Sequence, residues 1–560
     1  MKRKRLKSSL FIGVLAMSIV ATGCSTKNPG EATNTTDPAV SATNNKPVDP
    51  LAKYDPPIEV TIARAIDADL TFKDGESIDN NIWTKAMEDE LGIKQKTTWS
   101  VKGSADEYNQ KLSVSIAAGN LPDMFLTDAI KLKQLADAGQ LEDLTELYNQ
   151  YATPFTKEIL GQDGGMALKS ATFGGKLLAI PNTDSAADTV PLMFIRTDWL
   201  KNLNLTEPKT MDDVLKISEA FTKKDPDANK KSDTFGLALS KELFGGTGGI
   251  VGFANSYHAY PNTWVPEASG KLVYGNIQPE MKSALAKLQE LYNDKQIDPE
   301  FGIKDGNKEA ELTAGGKIGM FFGAMWTPLF PLQGGKDKDP NMQWGAYKII
   351  SVDDKPALVQ ASFPVSRYYA VKKGAKHPEA LIKILNLYSE KMWGEKAEYE
   401  KYGIAKDGTP VFKYYFSNYW PARKNVDIQT KIKEALRTKD TSKLNAEQLV
   451  NYRQVFDNLN KKSTKDWGYE RVFGPENDTS FAVINEYLNN KSILNAGFYG
   501  APTPTMGEKQ ATLDKLVVET FTKIIMGSAP IDDFDKFVSN WKSSGGDEIT
   551  KEVNDWNASK

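Results

Sequence analysis

The chain has 560 residues, with 70 Lys and Arg against 73 Asp and Glu, one cysteine, and a formal charge of −3. A balance this close to neutral provides no basic field for nucleic acid. A single cysteine rules out intrachain disulfides and a zinc-type cysteine cluster, and the length allows two or three domains of roughly 100–200 residues each.

Residues 1–23 read as a secretory signal. Lys2, Arg3, Lys4, Arg5 and Lys7 precede the apolar run Leu10 to Ala21. That run is shorter than the ~20 residues a membrane-spanning helix needs. Ala21-Thr22-Gly23-Cys24 closes the segment with small residues. The tetrad resembles the lipobox of bacterial lipoproteins, with Ala21 where Leu is usual. That resemblance implies that Cys24 starts the mature chain and carries acyl groups, tethering the protein to the extracellular face of the plasma membrane. Removing residues 1–23, which hold five basic and no acidic side chains, takes the charge from −3 to −8. Residues 24–55 are rich in Ser, Thr, Asn, Pro and Ala and read as a flexible tether.

The folded body starts at Ile58, where Ile58, Val60 and Ile62 alternate with Glu59, Thr61 and Ala63 as in a strand. The spacing predicts a helix over about 80–91, an extended piece over 92–99, a helix over 105–118 and a short strand over 123–127. A further strand is expected over 190–196. Thr210, with Asp213 three residues on, marks the start of a helix that carries Met211, Val214, Leu215 and Phe221 on one face. Residues 509–556 read as three helices with stops at Gly527 and Gly545-Gly546. Strands alternating with helices imply an α/β fold with mostly parallel sheets.

Several segments resemble one family. They include AAGNLPDMFLTD (117–128), PLMFIRTDWLKNLNL (191–205), PKTMDDVLKISEAFTKKDPDAN (208–229), GGKIGMFFGAMW (315–326), KHPEALIKILNLY (376–388) and the stretch 500–527. Together they are similar to the extracellular solute-binding proteins of ABC importers, in particular the large Gram-positive lipoproteins linked to oligosaccharide and polysaccharide uptake. The resemblance implies a two-lobed, periplasmic-binding-protein-like (type II) α/β fold with the ligand between the lobes. It implies lobe 1 at 56–187 plus about 362–430, and lobe 2 at 188–361 plus about 431–560. Crossings are expected near 184–189 and 361–366. The implied partners are an oligosaccharide and the subunits of an ABC permease, met by a monomer that touches the membrane only through its lipid.

Asp225, Asp227, Asn229, Lys231 (carbonyl) and Asp233 fall at positions one, three, five, seven and nine of a loop, the oxygen spacing of a calcium EF-hand. Alginate-type binding proteins carry a similar DPxxN loop, which implies a structural calcium here. Position six is Lys230 where an EF-hand has Gly, and position twelve is Gly236 where it has Glu; Thr234 is a substitute oxygen. A polar turn after a helix is the alternative.

The chain has 11 Trp, 21 Tyr and 24 Phe. Aromatic rings pack on the C–H faces of sugars while neighbouring polar groups take the hydroxyls. Trp99, Trp264, Trp326 and Trp420 lie in turns or at strand ends, where ligands collect in open α/β sheets. Asp67, Asp128 and Arg196 adjoin strand ends, and Tyr499 precedes a Gly-Ala-Pro turn. Core packing or a solvated charge is the alternative for each. Trp199, Trp541 and Trp556 lie in helical patterns and are assigned to the core. His258 and His377 supply no Ser-His-Asp set, and no phosphate or dinucleotide fingerprint is present. The chain therefore reads as a binding protein and not an enzyme. A peptide receptor and, behind it, a glycan-active enzyme are the other readings.

Overall fold

The computed structural model describes residues 49–559 apart from 68, 69, 74, 104, 246, 462 and 463. The signal segment, Cys24 and the tether as far as residue 48 lie outside the described residues. The strands of the two main sheets, in chain order, are β1 (Ile58–Ile66), β2 (Ile93–Lys102), β3 (Met124–Thr127), β4 (Ala179–Thr183), β5 (Leu192–Arg196), β6 (Phe235–Leu237), β7 (Ile318–Gly323), β8 (Trp344–Tyr347) and β9 (Val365–Val371).

One sheet has the order β2-β1-β3-β9-β4 and the other β8-β5-β7-β6. In the first, β1 runs parallel to β2 and β3, while β9 is antiparallel to β3 and β4. In the second, β7 is parallel to β6, and β5 is antiparallel to β7 and β8. Each sheet therefore contains one reversed strand, β9 in the first and β5 in the second.

Two separate cores form around these sheets. One takes residues from Val60 to Ile180 and again from Tyr368 to Tyr419; the other takes residues from Ala187 to Ala361 and again from Val426 to Val553. The first core is aromatic. Trp83 is fully buried and packs on Tyr388, Tyr402 and Tyr415, with its indole N–H donating to the Tyr402 and Val411 carbonyls (both 3.1 Å).

Local signals account for most element ends. Asn81 caps the helix Ile82–Ala86, whose axis continues into a wider π turn over Met87–Leu91. Gly92 stops it at φ +67°, and a Cβ there would lie 2.5 Å from the Tyr54 carbonyl, so only glycine lets the N-terminal segment pass. Ala52–Tyr54, expected as the end of the tether, are held on this lobe. The Tyr54 N–H donates to Leu91 O (2.9 Å), Tyr54 Oη donates to Glu379 (2.7 Å) and Lys383 Nζ donates to Ala52 O (2.7 Å). Thr210 caps Met211–Lys223 in a reciprocal capping box with Asp213. The three C-terminal helices are Pro504–Ile525, Asp533–Trp541 and Asp547–Ala558. The first starts five residues before the expected Lys509, because Thr503 caps it and Pro504 takes its first position. Leu513, Phe521 and Trp541 join the second core, and Trp556 packs at its edge.

Glu309, on the helix Gly306–Ala314, is 0% exposed, and neither carboxyl oxygen has a partner among the described residues. Burial, aided by Asp298 and opposed by Lys304, pushes its carboxyl up to about 8. An unfolded glutamate ionises near 4.3, as a rough reference. Between those values the native state holds a proton that the unfolded chain releases. Stability is therefore full below about pH 4.3, falls as pH rises through the folded value, and levels off above it. The penalty at pH 7 is of order 3 kcal/mol. Glu309→Gln, which needs no proton, is expected to raise the melting temperature at pH 7–8 and to leave it little changed near pH 4. A shift of equal size at both pH values would show that the carboxyl is not the cause.

Candidate ligand-binding cleft

The chain passes between the two cores three times, over 184–186, 362–364 and 420–425. These passes are tied to one another. The Asp184 N–H donates to Pro364 O (2.9 Å), and the Ser362 N–H donates to Thr189 Oγ1 (2.9 Å). The Trp420 N–H donates to Thr183 O (2.9 Å), and Thr183 Oγ1 returns a bond to Trp420 O (2.9 Å). Ser185 Oγ donates to Ala422 O (2.7 Å), and Asn425 Nδ2 donates to Asp188 Oδ2. Burial at this junction raises the Asp188 carboxyl to about 6, against the downward pull of its bonds from Ser185 and Asn425.

The reversed strands decide what faces the junction. β5 begins just after the first pass, and β7 and β8 end beside its start, with Gly323 paired to Leu192 and Tyr347 to Met193. β9 begins just after the second pass, beside the ends of β3 and β4. The carboxyl ends of the other strands in both lobes therefore point at the junction, where α/β sheets bind ligands.

A pocket of about 170 Å³ lies there. Thr189 and Pro191 after the first pass and Gln360 and Ser362 at the second line it, together with Phe322 and Gly323 from the end of β7 and Ala324 and Trp326 just beyond. Its remaining wall is Phe244, Gly245, Gly249, Val251 and Gly252. Gly252 lets the wall close down on β7, since a Cβ there would lie 2.5 Å from the Phe322 ring. Sequence reasoning missed this wall; its signal was the glycine run in LFGGTGGIVGF (243–253) just before an aromatic.

The other expected residues are distributed unevenly. Trp326 is 40% exposed and in the pocket. Trp420 stands on the third pass, with its ring against Trp393 and Phe412 and Lys424 Nζ 4.7 Å from its centroid. Tyr499 stacks on Phe363 of the second pass at 5.9 Å. Trp99, half-buried, lies inside β2 three residues before its end, not at a strand end as expected, and packs on Tyr108. Asp67 pairs with Lys413 (2.7 Å), and Asp128 caps the helix Ala129–Asp137 while accepting from Asn109 (2.9 Å).

Two further expectations meet a different environment. Arg196 ends the reversed strand β5, so it sits at the sheet end away from the junction, paired to Trp344. Its guanidinium makes two bonds to Asp198 (2.8 and 2.6 Å) and stacks on Trp199. Trp264 is in a hairpin, Trp264–Pro266 with Leu272–Tyr274, and not in an irregular loop. It is 7% exposed and packs on Tyr274, which stacks on Trp541. Both serve the second core.

The loop at 225–233 gathers its oxygens around Asn229. Asn229 Nδ2 donates to Asp227 (2.6 Å) and Asp233 (3.1 Å), and the N–H groups of Asn229 and Lys230 donate to Asp225 (3.1 and 3.0 Å). Burial and the adjacent Asp225 raise the Asp227 carboxyl, the response of crowded like charges. Lys230 takes φ +63°, the left-handed turn that position six requires of glycine in an EF-hand. Other features oppose a full EF-hand. Asp233 is paired with Lys317. A Cβ at Gly236 would lie 2.1 Å from Ser218 O, so no Glu fits position twelve. Thr234 is buried and donates to Phe221 O (2.7 Å), so it is no substitute ligand. Among the described residues no group of three His, Cys, Asp or Glu side chains is arranged to hold a metal.

Ser351, His258 and Asp353 meet, but Ser351 Oγ (3.2 Å) and Asp353 (2.9 Å) both contact His258 Nε2. A catalytic relay needs the two on opposite ring nitrogens.

The family described as bacterial extracellular solute-binding protein matches residues 71–394, more than half of the chain. The chain belongs to that family. It is an extracellular class of receptors, not enzymes. This binding protein is 26% identical over 445 residues to the polygalacturonan/rhamnogalacturonan-binding protein YtcQ of Bacillus subtilis (strain 168), covering 79% of this chain and 82% of that one. It is 25% identical over 480 residues to lipoprotein LipO of the same strain, covering 84% and 87%. An extracellular solute-binding protein from Bifidobacterium longum subsp. infantis superposes with a TM-score of 0.62 at 18% identity, over 90% of this chain and 99% of that one. Alginate-binding protein AlgQ2 without calcium ion gives 0.57 at 17%, over 91% and 100%. The FusA EF-hand mutant of Streptococcus pneumoniae in complex with fructo-nystose gives 0.57 at 15%, over 90% and 99%. These structures attest the two-lobed α/β fold.

Proposed function

We propose that the protein is a lipid-anchored receptor that captures an oligosaccharide between its lobes and delivers it to an ABC permease. The observation that carries this is the glycine-walled pocket on lobe 2 beside the second chain pass, with the exposed ring of Trp326 on its edge. A flat aromatic face beside close-approach backbone suits a sugar ring. Closure of the lobes about the passes would enclose it, as in periplasmic binding proteins. YtcQ, named for binding polygalacturonan, and FusA, in complex with fructo-nystose, support a carbohydrate ligand. For the lobes we propose limits near 184–187, 362–366 and 420–425, where membership changes from one core to the other. The ligand contacts we assign are Trp326, Trp420, Tyr499, Trp99, Asp67 and Asp128: Trp326 lines the pocket, Trp420 stands on a pass, Tyr499 packs on one, Trp99 lies in the last part of β2, and Asp67 and Asp128 directly follow β1 and β3.

Thermal shift against a glycan panel and a peptide panel tests this reading, because a ligand of the folded state raises the melting temperature by mass action. Trp326→Ala is expected to weaken oligosaccharide binding about thirtyfold or more with the melting temperature kept. Trp264→Ala is expected instead to lose about 3–5 kcal/mol of stability. Shifts with peptides alone, or normal binding by Trp326→Ala, would oppose the assignment.

The anchor is Cys24, and LipO, a lipoprotein by name, supports it. Cys24→Ser is expected to move the protein from the membrane to the soluble or unprocessed fraction. Unchanged partition and mature mass would end the lipoprotein claim.

For the loop we infer a structural calcium held by Asp225, Asp227, Asn229, Asp233 and the Lys231 carbonyl. Calcium would neutralise the crowded carboxylates that now raise Asp227. Chelator is expected to lower the melting temperature and added calcium to restore it, and Asp225→Ala with Asp227→Ala to remove the response. Insensitivity of the unmodified protein, with no calcium by metal analysis, would make the loop a plain turn held by Asn229 and Lys317.

A further inference from the structure

We propose that Arg367, with the buried Arg64 close by, forms an anion subsite on the lobe-1 wall of the cleft, and that the captured oligosaccharide carries carboxylates, as a uronic-acid oligomer does. This rests on the oligosaccharide reading above.

Arg367 is the third residue of β9 and pairs with Asn182 of β4, two positions before the first pass. It is half-buried, and its guanidinium makes no hydrogen bond or ion pair to any described residue. A half-buried charge ordinarily finds a partner, because losing water without one is costly. Arg64 lies on β1 of the same sheet and is 6% exposed. Two of its nitrogens donate to the carbonyls of Tyr414 (2.6 Å) and Lys413 (2.8 Å), and its Nε has no partner. Burial lowers its pKa to about 10, so it stays charged at neutral pH. Burial pushes the Tyr108 and Tyr369 hydroxyls up, and the positive charges of Arg64 and Arg367 both pull them the other way. Both guanidinium groups therefore act on the same pair of tyrosines.

Neither arginine forms an ion pair with the acids that follow the lobe-1 strands, although the charges of Asp79 and Asp67 act on Arg64 from a distance. Asp67 pairs with Lys413, Asp128 accepts from Asn109 and the Lys131 N–H, and Asp184 accepts from the Ser185 N–H. Next to Tyr108 stands the ring of Trp99 at 5.3 Å, with Lys111 Nζ 5.3 Å from the Trp99 centroid. An aromatic face with unpaired cations around it matches a sugar ring that bears a carboxylate. Arginine binds such a group through two parallel N–H bonds. The attraction is local, since the chain as a whole is acidic.

The test is calorimetric titration of the unmodified protein with a panel of uronic-acid oligomers, their methyl esters, and neutral oligomers of equal length, at low and high salt. The acids are expected to bind about ten- to hundredfold tighter than their esters. High salt should narrow that gap. Arg367→Gln should abolish the preference, and Arg367→Lys should restore part of it. Equal or tighter binding of esters or neutral oligomers by the unmodified protein overturns the proposal, whatever the variants do. An acid preference that survives in a folded Arg367→Gln protein overturns it as well. If peptides bind and no saccharide does, the oligosaccharide reading itself fails.

Discussion

The hydrogen bonds that bind the three chain passes to one another hold the rest of the architecture in register. Thr183 and Trp420 exchange two bonds, Asp184 meets Pro364, and Ser185 reaches Ala422. Each pass delivers its chain into a sheet or core at a set point: β9 begins directly after the second, and β5 follows the first across the short helical turn Ala186–Thr189. Because those two strands run against their neighbours, every other strand in both sheets ends at the junction. The cleft is therefore a consequence of strand direction. Few bonds cross the junction compared with the two large cores beside it, so relative motion of the lobes costs little of the packing that stabilises each one.

The two walls of the cleft differ in chemistry. The lobe-2 wall is backbone-rich and apolar, with glycines 245, 249, 252 and 323 around Phe322 and Trp326. Close approach of backbone lets a ring ligand lie flat and meet peptide groups directly. The lobe-1 wall is polar, with Arg367 near the start of β9, the buried Arg64 near the end of β1, and Asp67, Asp128 and Asp184 already engaged. An apolar wall facing a charged one suits a ligand with a C–H face and an ionised edge.

Much of the fold was legible because its signals are local. Thr210 with Asp213, the glycine stops at 527 and 545, and the alternation from Ile58 each specify an element through neighbours a few residues away. The individual site residues were less legible. Arg196 and Trp264 have the same local look as Trp326, a strand end or turn with an aromatic or charged group. Arg196 ends a strand that points away from the junction, and Trp264 lies under Tyr274 and the helix of Trp541. The glycine run at 245–252 was passed over because glycines register as turns until the opposing ring, Phe322, is known.

By itself the sequence determined the α/β alternation, the helix caps and the family. Each depends on composition or on spacings of a few residues, where propensity and capping act. Only the tertiary structure decided which strand runs backwards, which tryptophan is covered and which arginine is left without a partner. Those outcomes depend on segments hundreds of residues apart, such as Arg64 beside Tyr414 or Asp188 beside Asn425, meeting only once both cores have packed.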